Sequence, residues 1–316
     1  MYYIGLDIGG TKCAATLGKI TETLPDILDK KYFLTEQKYP FEILEIFSLF
    51  IEEKLKSYNI KGIGISCGGP LDSVKGVIMK PPSLPRWDNI EIVKYFKDKY
   101  CIDTYLQNDA NACAVAEWKF GAGKGLNNVI FLTFGTGLGA GLILNAKLYA
   151  GTNDNAGEIG HVRLTKTGPL GYFKEGSCEG YCSGSGIARL AKIISKDKRY
   201  IKSYKKFVDI VGVDSVSAKT IAEYARKGNA FCRRVFNVSG KMLGKTLSIL
   251  IDVLNPQAII LGGVYMRAND LLNPPMEKEL KKESLAFSLG VVNILPAGLG
   301  ENIGDYAALS IAKGDF

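Results

Sequence analysis

The chain has 316 residues, 47% of them hydrophobic and 23% charged, with 36 glycines, seven cysteines, one histidine and a formal net charge of +8. That is enough chain for one large domain or two ordinary ones, and the composition fits a soluble α/β protein with many tight turns. No apolar run reaches the ~18 residues of a membrane helix. The best candidate, residues 247–264, is broken by Asp252 and by Asn255-Pro256, so no membrane partner is expected. The first residues, "MYYIGLDIGG", hold no basic segment followed by an apolar one, and no signal peptide is expected. The scattered cysteines fit free thiols in a reducing cytoplasm, the expected location, better than a disulfide framework. Much of the excess charge sits in residues 192–206, with seven Lys or Arg against one Asp. No other part of the chain is comparably basic. The segment therefore reads as a solvated helix end and loop, and no nucleic-acid partner is expected.

In chain order, residues 2–8 read as a strand ending at a carboxylate and a glycine pair, with 13–17 as its hairpin partner. Residues 41–57 place Ile43, Phe47, Phe50 and Leu55 on one helical stripe and Glu42, Glu45, Glu52 and Glu53 elsewhere. A buried strand at 62–66, an amphipathic helix at 90–100, a strand at 103–107 and a helix at 110–120 follow. The pattern then restarts. Residues 128–144 read strand, glycine turn, strand, echoing residues 1–17, which points to an internal duplication of fold with little sequence identity. Helices near 184–195, 217–227 and 231–253, a strand at 257–263, a helix near 267–283, a strand at 291–296 and a helix from about 303 complete the chain. "FGAGKG" (120–125) is the best boundary between the halves.

Three glycine turns each follow a strand: "DIGGTK" (7–12), "FGTGLGAG" (134–141) and "LGG" (261–263). Backbone N–H groups exposed in such turns form anion-binding nests. One glycine turn is a weak signal. Three, the first carrying Asp7, Thr11 and Lys12, point to a nucleotide-phosphate cradle. No G-x-x-x-x-G-K-[ST] is present, so the cradle is not of the P-loop type. "GTGLGAG" is flanked by strands on both sides rather than opening a helix, which argues against a dinucleotide fingerprint. Asp7 stands where a carboxylate would hold Mg²⁺, directly or through water, with a turn-capping Asp as the plainer alternative.

"QNDANA" (107–112) puts Asn108 and Asp109 where a strand meets a helix. They read either as an N-cap or as a general base at the carboxyl edge of a sheet. "AGEIGH" supplies Glu158 and His161, and Glu179 follows. Carboxylates, an Asn and a His without a nucleophile fit hydrogen bonding to a polyol.

Together "GLDIGGTK", "SCGGPLD", "NDANA", "FLTFGTGLGAG", "AGEIGH", "GSCEGYCSG" and "IILGG", in this order across essentially the whole chain, resemble the ROK family of sugar kinases and repressors. The fold this resemblance implies is α/β, the two-lobed actin-like ATPase (ribonuclease H-like) fold with an interlobe cleft. An N-terminal lobe of residues 1–120 plus about 301–316 and a C-terminal lobe of 121–300 are expected. The implied activity is ATP-dependent phosphorylation of a hexose, with Asp109 as general base. Asn108, Glu158, His161, Glu179 and Gly69 would bind sugar. Asp7, Gly9, Gly10, Thr11 and Lys12, with Gly135, Thr136 and Gly137, would bind phosphates, and Gly262 and Gly263 would pack near the adenosine. ATP and Mg²⁺ are the expected cofactors, with Asp7 reaching the metal through water, and a homodimer is expected.

The expected substrate is glucose or a close aldohexose at its 6-hydroxyl. The alternatives are an N-acetylmannosamine or N-acetylglucosamine kinase or a fructokinase. A non-catalytic sugar-responsive regulator is more remote: regulators of the family carry an N-terminal helix-turn-helix, whereas here the phosphate strand begins at Tyr2. Where members often have N-L-P-G-W, this chain has "SLPRW" (83–87), so Ser83 and Arg86 are expected to change one wall of the sugar pocket. The family's zinc motif falls on residues 170–179, with Leu170, Tyr172 and Ser177 at its three cysteine positions. Structural zinc is therefore not expected. Leu170, Tyr172 and Phe173 are expected to hold this loop by apolar packing instead.

Overall fold

The computed structural model describes residues 1–35 and 39–316. In chain order the strands are β1 (Tyr2–Ile8), β2 (Lys12–Lys19), β3 (Asp26–Leu34), β4 (Ile60–Cys67), β5 (Leu71–Asp72), β6 (Val77–Ile78), β7 (Thr104–Asn108), β8 (Val129–Phe134), β9 (Leu138–Leu144), β10 (Lys147–Leu148), β11 (Leu170–Gly171), β12 (Lys174–Glu175), β13 (Ala258–Leu261) and β14 (Asn293–Pro296). The helices are α1 (Pro40–Leu55), α2 (Ile92–Tyr100), α3 (Asp109–Phe120), α4 (Cys178–Tyr181), α5 (Gly184–Ile194), α6 (Ile201–Val211), α7 (Ala218–Arg226), α8 (Ala230–Leu254), α9 (Val264–Glu283), α10 (Ala286–Leu289) and α11 (Ile303–Ile311). No helix among the described residues is long and apolar enough to cross a membrane.

Two compact units result. The first takes in Met1–Phe131, Gly141–Ala156 and Ala297–Phe316, and the second Leu132–Ala140 and Gly157–Pro296. The first unit thus reaches beyond residue 120, because β8 and β9 each pass from one unit to the other.

The first unit is built on a sheet of order β3-β2-β1-β4-β7. β1 pairs antiparallel with β2 and parallel with β4, and β4 pairs parallel with β7. One face is buried under Ile43, Phe47, Phe50 and Ile51 of α1 and Phe96 of α2. Ile51 rather than Leu55 completes the α1 stripe, since Leu55 is exposed at the helix end. On the sheet's other side α11 lies close to β1, where a Cβ added to Gly5 would come 2.9 Å from the Leu309 nitrogen. β3 carries no hydrophobic alternation that would mark it as a strand in the sequence. Its side chains are mostly exposed, and it forms by pairing along the whole of β2, from Lys12↔Leu34 to Lys19↔Asp26.

A second sheet has the order β10-β9-β8-β13-β14, with an antiparallel pair at one edge and a parallel pair at the other. This repeats the plan of the first sheet, so the duplication is one of topology. In the second unit, α8 presents Gly240 and Gly244 to α9, and Pro275 Cγ fills the notch 2.6 Å from a Cβ position on Gly240. The basic segment differs from expectation. Residues 201–211 form α6, because Phe207 is buried against Tyr224 and Phe231 while the lysines face water. Its charge hid an amphipathic helix.

Candidate functional site

Strand register assembles the residues of the first unit. Ile8 pairs with Cys67, and Cys67 with Asn108. The next residues, Gly9, Gly68 and Asp109, therefore leave the sheet at the same carboxyl edge, where α/β folds bind ligands. The 9–12 turn closes through Gly9 N–H donating to Lys12 O at 3.1 Å. Thr35, which sequence reasoning missed, anchors it: Thr35 Oγ1 donates to Gly9 O at 2.7 Å, and its N–H donates to Thr11 O at 2.9 Å. Thr11 and Lys12 are exposed. Ser83 packs on this turn, 2.6 Å from a Cβ position on Gly10, and the Arg86 guanidinium lies 4.6 Å from the Tyr39 ring centroid.

Asn108 and Asp109 divide the two readings of their dipeptide. Asn108 is the N-cap of α3, its Oδ1 accepting from Ala110 N–H at 2.9 Å. Its Nδ2 faces Gly69, 3.2 Å from a Cβ position there. Asp109 opens the helix with its side chain exposed. Its Oδ1 also accepts from Ala110 N–H, at 2.8 Å. Desolvation by the surrounding protein raises its carboxyl above the ordinary carboxylate range, against the lowering pull of the Ala110 N–H.

Asp7 is pushed up to about 7, first by burial, then by the charges of Asp109 and Asp305, against the opposing pull of Lys12 and Lys30. Asp305 was not visible as a site residue. It is buried on α11, where it accepts from Lys30 Nζ at 2.6 Å and Thr16 Oγ1 at 3.2 Å. The one signal in the sequence is a lone carboxylate in the apolar run "IGDYAALSIA". A carboxylate crowded by other carboxylates fits a hydrated divalent cation, which would relieve the repulsion. Among the described residues no three His, Cys, Asp or Glu side chains form a direct metal cage. Such an ion would keep most of its own waters, as Mg²⁺ usually does.

The second unit holds the remaining candidates. A 3₁₀ turn at Ile159–His161 follows Glu158, with His161 N–H donating to Glu158 O at 3.1 Å. Glu158 and His161 are both exposed. Glu179 lies in the first turn of α4, capped by buried Ser177, whose Oγ accepts from Gly180 N–H at 3.1 Å. A Cβ added to Gly160 would lie 3.5 Å from Glu179 Cβ, so the 159–161 turn packs beside Glu179. Glu158, His161 and Glu179 are thus one cluster. It adjoins the 135–137 turn, since Glu179 Oε2 accepts from Leu138 N–H at 3.3 Å. The turn is braced by Gly184 N–H on Gly135 O at 2.8 Å and Ser185 Oγ on Thr136 O at 2.8 Å. Gly263, at φ 62°, lies over the Phe134 carbonyl where no side chain would fit, and Gly262 N–H donates to Leu132 O at 3.0 Å. The second and third glycine turns are therefore neighbours.

The expectation for the 170–179 loop is corrected. Leu170, Tyr172 and Phe173 are 45%, 53% and 88% exposed and do not hold the loop by burial. They lie at a hairpin turn that projects from it. Hydrogen bonds hold the loop: Ser177 caps α4, Cys178 N–H donates to Val162 O at 2.8 Å, and Thr165 Oγ1 meets the Tyr181 hydroxyl at 2.9 Å. Cys178 and Cys182 are buried free thiols.

Two sheets of the same plan, with glycine turns at their strand ends, define an actin-like ATPase fold. The ROK family model matches residues 3–315, and the chain belongs to the ROK family. It is 30% identical over 312 residues to a glucokinase of Streptomyces coelicolor, covering 98% of this chain and 97% of that one. It is 26% identical over 306 residues to a xylose repressor of Bacillus spizizenii, covering 95% and 74%. A crystal structure of a ROK family glucokinase from Streptomyces griseus in complex with glucose and AMPPNP matches with TM-score 0.80 at 27% identity, covering 99% of this chain and 100% of that one. With both a kinase and a repressor among these relatives, membership defines the fold and leaves the activity to be argued from the site.

Proposed function

We propose that the chain is an ATP-dependent hexose kinase that phosphorylates glucose or a close aldohexose at its 6-hydroxyl. The observation that carries this reading is the common strand edge of Gly9, Gly68 and Asp109, with the charge of Asp109 felt at Asp7. A proton-accepting carboxylate beside a phosphate turn is what phosphoryl transfer to an alcohol needs. The glucose and AMPPNP in the Streptomyces griseus relative support the choice of substrates.

In this reading Asn108, Gly69, Glu158, His161 and Glu179 hold the sugar hydroxyls. Asp109 accepts the proton of the reacting hydroxyl, whose oxygen bonds to the γ-phosphorus as the bond to the bridging oxygen breaks and ADP leaves. A carboxyl raised above the usual range is the better base. Lys12 and the N–H groups of residues 9–11 and 135–137 hold the phosphate oxygens and the charge that develops on them. Gly262 and Gly263 leave room for the adenosine. Mg²⁺, when bound with the nucleotide and held by Asp7 through water, supplies further neutralisation of phosphate charge.

The alternatives are an N-acetylhexosamine kinase or a fructokinase. Ser83 in place of the family's Asn, packed on Gly10, is the observation that keeps them open. A sugar-responsive regulator would not need Asp7, Lys12 and Asp109 together. The test is ADP release from ATP with Mg²⁺ over a panel of hexoses, N-acetylhexosamines and fructose. Glucose or a near aldohexose is expected to give the highest kcat/KM. ADP release that no sugar raises above background would overturn the kinase reading.

A further inference from the structure

Tyr172 and Phe173 are the two turn residues of the β11–β12 hairpin, and both have positive φ, 38° and 63°. Positive φ at both positions is what a type I′ turn requires, and Asn, Asp and Gly adopt it at little cost while bulky side chains do not. Neither ring is buried in return. Strain kept at exposed aromatic positions points to a role outside the core. Tyr172 meets the imidazole of His161, with ring centroids 6.0 Å apart and planes at 72°, edge to face. Phe173 backs the phenol ring at 5.3 Å. The same hairpin reaches His161 a second time, through Lys174 Nζ, which donates to His161 O at 2.9 Å.

We propose that Tyr172 is a positioning residue for His161: the strained turn sets the phenol ring against the imidazole and fixes its orientation before sugar arrives. The proposal rests on the reading of His161 as a sugar ligand in a hexose kinase. His161 is exposed on a short 3₁₀ turn, so its ring would otherwise sample several rotamers. Each torsion frozen on binding costs affinity, and a ring already oriented avoids that cost. The edge-to-face contact favours one orientation of the imidazole. Lys174 fixes the backbone beneath it.

His161 is the sole histidine of the chain, so tag-free protein labelled at histidine reports one imidazole by NMR. The variants are Tyr172→Phe and Tyr172→Gly. Glycine suits the positive φ, so Tyr172→Gly is expected to fold at least as stably as the wild type. With the ring gone, the imidazole signals should move toward those of free histidine. The sugar KM should rise roughly three- to tenfold, with the ATP KM and kcat within about twofold of wild type. Tyr172→Phe should keep the wild-type signals and KM. Unchanged imidazole signals in Tyr172→Gly, or an unchanged sugar KM in an otherwise active enzyme, would overturn the proposal. Wild-type protein that phosphorylates no sugar would instead refute the kinase reading, and the NMR comparison would still decide whether Tyr172 orients His161.

Discussion

Gly137 and Glu179 are packed so closely that a Cβ on Gly137 would lie 2.8 Å from Glu179 Oε2, the oxygen that also accepts the Leu138 N–H. The turn assigned to phosphate and a carboxylate assigned to sugar are therefore mechanically joined. Gly137→Ala is expected to displace that carboxylate and lower kcat/KM for the sugar by roughly 10- to 100-fold, since a shift of about 1 Å in a positioning group has that scale of effect. Glu179→Ala, which removes the obstacle, should cost as much alone as combined with Gly137→Ala. Steady-state kinetics of the two single variants and the double variant check this. Fully additive losses would mean that the two residues act separately.

Asp109→Asn tests the base. The carboxamide keeps a hydrogen bond to the hydroxyl but cannot take its proton, so kcat should fall by ~10²-fold or more with little change in sugar affinity. The cap of α3 belongs to Asn108, so the variant should melt close to wild type. Near-normal turnover would remove Asp109 from the mechanism.

Asp7 makes stability depend on pH in an uncommon direction for a carboxylate. Its folded pKa, pushed up to about 7 by burial and by Asp109 and Asp305, exceeds its unfolded value. Its contribution is therefore fully present below pH ~4 and is lost as pH rises through about 7, by at most about 4 kcal/mol and less where water reaches the carboxyl. Asp7→Asn should thus be stabilised relative to wild type at pH 8 and not at pH 4. Mg²⁺ with a non-hydrolysable ATP analogue should narrow the gap at pH 8, because a cation favours ionised Asp7. Denaturation curves at the two pH values check both statements. A wild type no less stable than Asp7→Asn at pH 8 would remove the strain assigned to Asp7.

Zinc is expected to be absent from protein purified without chelator, and chelation followed by restoration of Mg²⁺ should leave activity unchanged. Stoichiometric zinc, with activity lost on its removal, would show the loop to be metal-held. Ser177→Ala should cost about 1 kcal/mol through loss of the α4 cap, measured by chemical denaturation. An equal stability in the variant would leave the loop without the anchor assigned to it.

The main strands, the three glycine turns and the Asn108–Asp109 junction are legible in the amino-acid order alone. These are local: apolar runs make the strands, and glycine permits turns whose N–H groups point outward. It also carried the restart at residue 128 that becomes the second sheet, because a repeated topology needs a repeated hydrophobic pattern. The remaining features depend on contacts between distant parts of the chain. β3 has no apolar period of its own and forms because β2 offers it an edge. α6 was masked by lysines whose charge said nothing of Phe207 beneath them. Tyr172 and Phe173 read as packing residues and are exposed, because the β11–β12 pairing puts them at the turn of a hairpin. Asp305 reaches the surroundings of Asp7 from the far end of the chain. The alignment of Ile8, Cys67 and Asn108 is likewise a matter of register. Register and long-range neighbours follow from which faces bury one another, and local periodicity contains no record of that choice.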